Sequence, residues 1–312
     1  MTRSIPIPAI PIPGGAALMT TAAILIGAAA AASADQPAKL AFVIDGLQSP
    51  ESVLMVGERR FVSNIGKVLD PSARDADGYI AEYAADGRLV AERAFPPAGE
   101  TLNAPKGMAA IDGRLFVTDI DRVLGFDIAS GKRVFDQPLP GGEIVGANDL
   151  AATGDGKLII SDTERGIVYR LDPDSGQFTE IAADIPGANG IAIDPRDQKI
   201  LVAGVGRNFA GGDVYALEPG GPSKRLKNAP HGILDGLAVL PDGRAIVSDW
   251  VAVDRPVPGN LDLIPVDGAA AGAIQTGRDI AGPADFALDS AGGTLWVPAM
   301  LSNQIVVLKI GE

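Results

Sequence analysis

The sequence contains no cysteine and only one histidine in 312 residues. Disulfides, thiolate metal sites and a cysteine nucleophile are therefore excluded, and any triad chemistry would have to use His231 in "NAPHGILDG". No G-x-S-x-G turn is present to carry a serine nucleophile. Basic residues are also few: Lys+Arg 26 against Asp+Glu 39 gives a net charge of −13. A field of that sign repels phosphate backbones, which weighs against nucleic acid as a partner and is compatible with a divalent cation. Two apparent motifs are incomplete. "GVGRNF" lacks the third glycine of a dinucleotide fingerprint, and "RDADGY" lacks the acidic twelfth position of a calcium loop.

Charge is nearly absent from the N-terminus, where Arg3 is the only charged residue before Asp35. The apolar stretch "GGAALMTTAAILIGAAAAASA" ends in Ala32-Ser33-Ala34, which is the pattern of a secretory signal. Residues 1–34 are thus predicted to be removed, leaving residues 35–312 as a single periplasmic or secreted domain with no membrane association. A retained anchor is the alternative, because the run is close to the shortest that spans a bilayer.

What is present is a repeat. "GANDLAATGDGKLIISD" and "GANGIAIDPRDQKILVAG" share an opening, a polar turn and two apolar runs. Further copies begin "SPESVLMVGERRFVSN", "APKGMAAIDGRLFVTD", "ILDGLAVLPDGRAIVSD" and "GPADFALDSAGGTLWVP", making six. Equivalent residues are Glu51, Lys106, Asn148, Asn189, Asp235 and Asp285, spaced 41 to 55 residues apart. Units of about 40–50 residues with several short strands each predict a β-propeller. The expected fold is all-β, a six-bladed β-propeller. The spare strand "KLAFVIDGL", Lys39 to Leu47, is expected to complete the last blade and cover its open edge.

The six equivalent residues precede the innermost strand of each unit and so converge on one rim. None is apolar. Carboxylates and amide oxygens collected there suit a hard cation, with Ca²⁺ the natural occupant. Taken singly, Asn, Asp and Gly at strand entries are ordinary turn residues. Long loops follow the second apolar run in three units, "NIGKVLDPSARDADG", "GVGRNFAGG" and "DWVAVDRPVPGN". Loops of that length commonly wall a binding site, which nominates Arg207, Phe209 and Trp250 as groups over the pocket. Lys106 on the rim could bind an anionic substrate group or pair with Asp149.

"PESV" at Glu51, "ND" at Asn148-Asp149, "NGIAIDP" at Asn189 and "DGLAVLPDG" at Asp235 resemble the metal-site motifs of the gluconolactonase/senescence-marker-protein (regucalcin) family. The resemblance runs from about Leu47 to the C-terminus as a spaced pattern. It implies a divalent-metal-dependent lactonase in which Glu51, Asn189 and Asp235 are metal ligands, Asn148 lies close to the metal or its water, and Asp235 is the acid/base. Lys106, Asn148, Asp285, Arg207 and Trp250 are then the candidate substrate contacts, and the partner is a small-molecule lactone or ester. Two positions depart from the family pattern: Gly146 stands where sugar-lactone enzymes carry arginine, and "PESVL" lacks an aromatic. The competing reading is a non-enzymatic periplasmic binding or scaffold propeller.

Overall fold

The computed structural model describes residues 35–142, 146–218, 222–265 and 271–311. The predicted signal segment, residues 1–34, lies outside the described residues. Among the described residues no helix is long and apolar enough to cross a membrane.

The chain is all-β. Four sheets have four strands each, every one built from consecutive antiparallel strands. Their innermost strands are Pro50–Val56, Pro105–Ile111, Ala147–Ala152 and Ala188–Ile193. The second strands, such as Arg114–Asp119 and Leu158–Asp162, are buried on both faces and therefore read as unbroken apolar runs. Outer strands such as Leu89–Phe95 and Arg133–Pro138 are largely exposed. Apolar side chains fill the space between adjacent sheets. Phe61, Ile80, Phe95, Leu115 and Phe126 pack between the first and second. Phe116, Leu150, Ile160, Tyr169 and Leu171 pack between the second and third.

The expectation of six blades is corrected by the remaining strands. The fifth and sixth repeats do not form two separate sheets; they share one sheet of eight strands. Leu234–Val239, Ala245–Asp249, Asn260–Ile264 and Gly272–Gln275 make one half, and Gln304–Ile310, Thr294–Ala299 and Ala287–Asp289 make the other. Gln36–Asp45 lies between the halves. It runs antiparallel to the last strand, from Ala38 opposite Ile310 to Asp45 opposite Gln304. Its first residues, Gln36 and Pro37, pair in parallel with Ile274 and Gln275. The physical reason is edge satisfaction. The strand begins three residues before the predicted Lys39, and that extra length reaches a second unpaired edge.

This strand also contributes to the core. Ile44 is buried with Trp296 and Val307, and the Phe42 ring stands edge-on to Trp296 at 5.4 Å between centroids. Deleting Gln36–Asp45 would expose two edges together with that cluster, and is expected to lower the melting temperature by on the order of 10 °C. Differential scanning calorimetry of the truncated chain checks this; an unchanged transition would make the segment a dispensable arm.

Candidate functional site

The same irregularity recurs in five inner strands. Pro50 pairs with Asn64 and Val53 with Val62, so Glu51 and Ser52 together face the single residue Ser63. In the same way Lys106-Gly107 face Thr118, Asn148-Asp149 face Ser161, Asn189-Gly190 face Ala203 and Asp235-Gly236 face Ser248. Two residues opposite one make a β-bulge, which bends the strand and re-aims a side chain. Each of the first five rim residues is therefore the first residue of a bulge.

Local chemistry stabilises these bulges. The second bulge residue leaves the ladder, and in three of the five a serine hydroxyl on the neighbouring strand accepts its N–H. Ser52 N–H donates to Ser63 Oγ at 3.0 Å, Asp149 N–H to Ser161 Oγ at 2.9 Å, and Gly236 N–H to Ser248 Oγ at 2.8 Å. Close approach of neighbouring inner strands explains the glycines. A Cβ at Gly190 would sit 1.9 Å from the Asp235 carbonyl oxygen, and one at Gly236 would sit 2.7 Å from that of Ala284. The acids and amide that end the second strands are scaffolding. Asn64, Asp119, Asp162 and Asp249 accept the N–H groups of Gln48, Ala104, Gly146 and Ile233 at 2.8–3.0 Å, fixing the chain as it enters each bulge.

The bulges open onto one cavity of about 250 Å³. Glu51, Lys106, Asn148, Asn189 and Asp235 all line it, together with Trp250 and a largely apolar wall. Glu51 Oε2, Asn148 Oδ1, Asn189 Oδ1 and Asp235 Oδ1 are each buried and accept no hydrogen bond. A buried polar atom without a partner costs about 1–3 kcal/mol, so four in one cavity call for partners from water or from a bound ligand. All four donors are hard oxygens, two from carboxylates and two from amides, a set that suits a Ca²⁺-type cation. Among the described residues there is no cluster of three or more His, Cys, Asp or Glu side chains arranged for a metal. This set is not of that kind, because half of it is amide.

The electrostatics follow from burial. Desolvation, and then Asp235 and Asp285, push the Glu51 carboxyl well above its usual range. Burial and Asp285 raise Asp235 to about 8 even though Trp250 Nε1–H donates to its Oδ2 at 2.8 Å. Asp285 is raised to about 7 by burial, moderated by the Ser52 hydroxyl that donates to it. Asp149 is also raised, chiefly by burial and then by Asp285. Against these acids the cavity lining sets one cation, Lys106, whose own pKa is lowered first by desolvation and partly restored by Glu51.

The structure brings together most, but not all, of the residues nominated from sequence. Trp250 lines the cavity and orients Asp235. Phe209 stands at the mouth, 45% exposed. Arg207 is exposed and lies outside the cavity lining, in the groove beside Thr163 and Asp184. Asp285 does not line the cavity either; it takes the Ser52 hydroxyl, and its N–H donates to the Glu51 carbonyl at 3.0 Å. Lys106 Nζ donates to the carbonyls of Pro71 and Ala104 at 3.0 and 3.1 Å. It does not pair with Asp149, whose carboxylate accepts the N–H groups of Leu150 and Ile191, each at 2.6 Å. Asp149 thereby ties the Asn148 strand to the Asn189 strand, a role the sequence reading missed. The signal for it is its place directly after a rim residue. His231 is exposed and bonds Asp213 through Nδ1 at 3.0 Å, away from the cavity.

Fold and site together define a β-propeller protein with an oxygen-lined pocket where its inner strands meet. The chain is similar to a gluconolactonase in part of its sequence, and to gluconolactonase and regucalcin structures in fold. It is 28% identical to a gluconolactonase of Zymomonas mobilis over 186 residues, which cover 53% of this chain and 52% of that one. The chain thus spans about half the length of the curated relative it matches. Among solved structures it is similar to a calcium-binding protein, regucalcin, of Agrobacterium tumefaciens, with a TM-score of 0.62 at 16% identity, covering 89% of this chain and 96% of that one. It is also similar to a gluconolactonase of Xanthomonas campestris, with a TM-score of 0.58 at 17% identity, covering 87% and 98%. At these identities the structural likeness shows the fold. No family model matches the chain.

Proposed function

We propose that the protein is a divalent-cation-dependent hydrolase of a lactone or related ester, with Ca²⁺ as the cation. The observation that carries this is the group of four partnerless oxygens on Glu51, Asn148, Asn189 and Asp235 around one cavity. Those side chains would hold the cation, which when bound supplies Lewis-acid polarisation of the ester carbonyl and offsets the buried negative charge.

The chain's own residues handle the proton. Trp250 Nε1–H holds Asp235 by Oδ2, which leaves Oδ1 facing the cavity. With the cation bound the Asp235 carboxyl would be ionised, and a carboxylate facing the cavity can take a proton from an attacking water. Water adds to the carbonyl carbon, the ring C–O bond breaks, and the proton taken by the Asp235 carboxylate passes to the departing ring oxygen. The product is the open hydroxy acid. Lys106, held by two backbone carbonyls beside Glu51, places a fixed positive charge on the same floor.

Calorimetric titration of the protein with Ca²⁺ tests this reading. One stoichiometric site is expected, and Glu51→Gln should weaken it by at least about tenfold, because one of only two cavity carboxylates loses its charge. Absence of cation binding, together with no hydrolysis of any lactone, would sink the proposal.

A further inference from the structure

The cavity is polar only at its floor. Its polar lining side chains are the four oxygen donors, Lys106 and the Trp250 indole N–H, and that N–H is already donated to Asp235. Above them the wall is hydrocarbon, with Ile65, Val205, Ile233 and Met300 inside and Leu69 and Val253 nearer the mouth. A polyhydroxylated ring seated on the floor would turn its hydroxyls toward this wall. Each buried hydroxyl left without a partner costs roughly tenfold in affinity or more.

The mouth carries the same character outward. Leu69, Phe209 and Val253 line the cavity, and Val68 and Val251 lie near them in sequence on the same loops, which follow the second strands of the first, fourth and fifth repeats. They are five of the nine large exposed hydrophobic side chains among the described residues. Two of them are held there against backbone preference. Phe209 has φ +57° and Val251 has φ +62°. Left-handed backbone is uncommon for a bulky residue and rarer still for a β-branched one, and strain of this kind gathers at binding sites. The Asp249 carboxylate accepts the Val251 N–H at 2.9 Å and helps to fix that turn.

We propose that the substrate is an uncharged lactone bearing an alkyl or aryl chain, not a sugar lactone. This rests on the hydrolase reading of the same site. The ester group sits on the oxygen-lined floor, the chain runs along Ile233 and Met300, and its end emerges between Phe209 and Val253.

The test compares kcat/KM for δ-decalactone, δ-valerolactone and glucono-δ-lactone with the full protein and Ca²⁺ present. The ten-carbon lactone is expected to exceed each of the others by at least about tenfold. Phe209→Ser and Val253→Ser, at exposed positions where folding is little affected, are expected to lower the decalactone-to-valerolactone ratio severalfold, mainly through KM. Preference for glucono-δ-lactone would overturn this proposal and leave the hydrolase reading standing. A decalactone preference that both rim variants leave unchanged would overturn the assignment of the chain to this mouth. Turnover of none of the three, with cation bound, would remove both readings.

Discussion

Replacing Asp235 with asparagine is expected to cut lactone turnover by on the order of 10²–10⁴-fold and to leave the fold intact. The substitution keeps the shape of the side chain, and an amide oxygen can still accept the Trp250 Nε1–H that now bonds Oδ2 at 2.8 Å. It removes the negative charge and the ability to carry a proton at Oδ1. Two losses then have to be separated. If Asp235 serves only as a ligand, raising Ca²⁺ until the variant is saturated restores the rate. If it also moves the proton, saturation restores occupancy without restoring turnover. The second outcome is expected, because Trp250 holds the carboxylate by Oδ2 and leaves its other oxygen facing the cavity, where the water attacks. Asp285→Asn is the control: it lies outside the cavity lining and bonds the Ser52 hydroxyl. Its rate is expected to fall far less, and only through the altered pKa of Asp235. Calorimetry beside initial rates at saturating Ca²⁺ distinguishes these cases. Equal losses in the two variants would mean that Asp235 has no special role in the chemistry.

The repeat was legible because each unit must bury the same strand faces, and this writes the same apolar runs along the chain. The rim was legible for a related reason. The bulge falls at a fixed distance from the hairpin, so Glu51, Lys106, Asn148, Asn189 and Asp235 can be aligned without knowing that they are bulged. The merging of the last two repeats into one sheet was not legible. It depends on Gln36 and Pro37 meeting Ile274 and Gln275, a backbone pairing between distant segments that leaves no side-chain period. The apolar wall was hidden as well, since Ile65, Ile233 and Met300 look like any other core residues until the loops are placed. The direction of a loop charge is equally silent in sequence. Arg207 and Phe209 are two residues apart, yet the ring reaches the cavity and the guanidinium does not.

The second large effect concerns stability. In the cation-free protein the melting temperature is expected to be higher at pH 5 than at pH 8, by on the order of 5 °C or more. Asp235 and Asp285 titrate near 8 and 7 in the fold, and Asp262, half-buried near Asp249, near 6. In the unfolded chain such carboxyls titrate near about 4. Between those values the unfolded chain has released protons that the fold still holds. The stability these groups contribute is therefore complete below about 4 and is lost as pH rises toward 8. Surface acids whose pKa is lowered, such as Asp172 at about 2 with its Lys157 partner, act in the opposite sense. They withdraw stability only as pH falls below about 4, so they leave this window clear. Added Ca²⁺ favours the ionised form of the cavity carboxylates, and is expected to raise the melting temperature most at pH 8 and so flatten the profile. Asp235→Asn should itself raise the cation-free melting temperature at pH 8, since it removes a buried acid that must either ionise there or hold its proton against solvent. Scanning calorimetry at the two pH values, with chelator and then with Ca²⁺, provides the measurement. A cation-free protein that melts lower at pH 5 than at pH 8 would show that the cavity acids are already ionised and compensated by protein groups, and the case for a cation at that floor would fall with it.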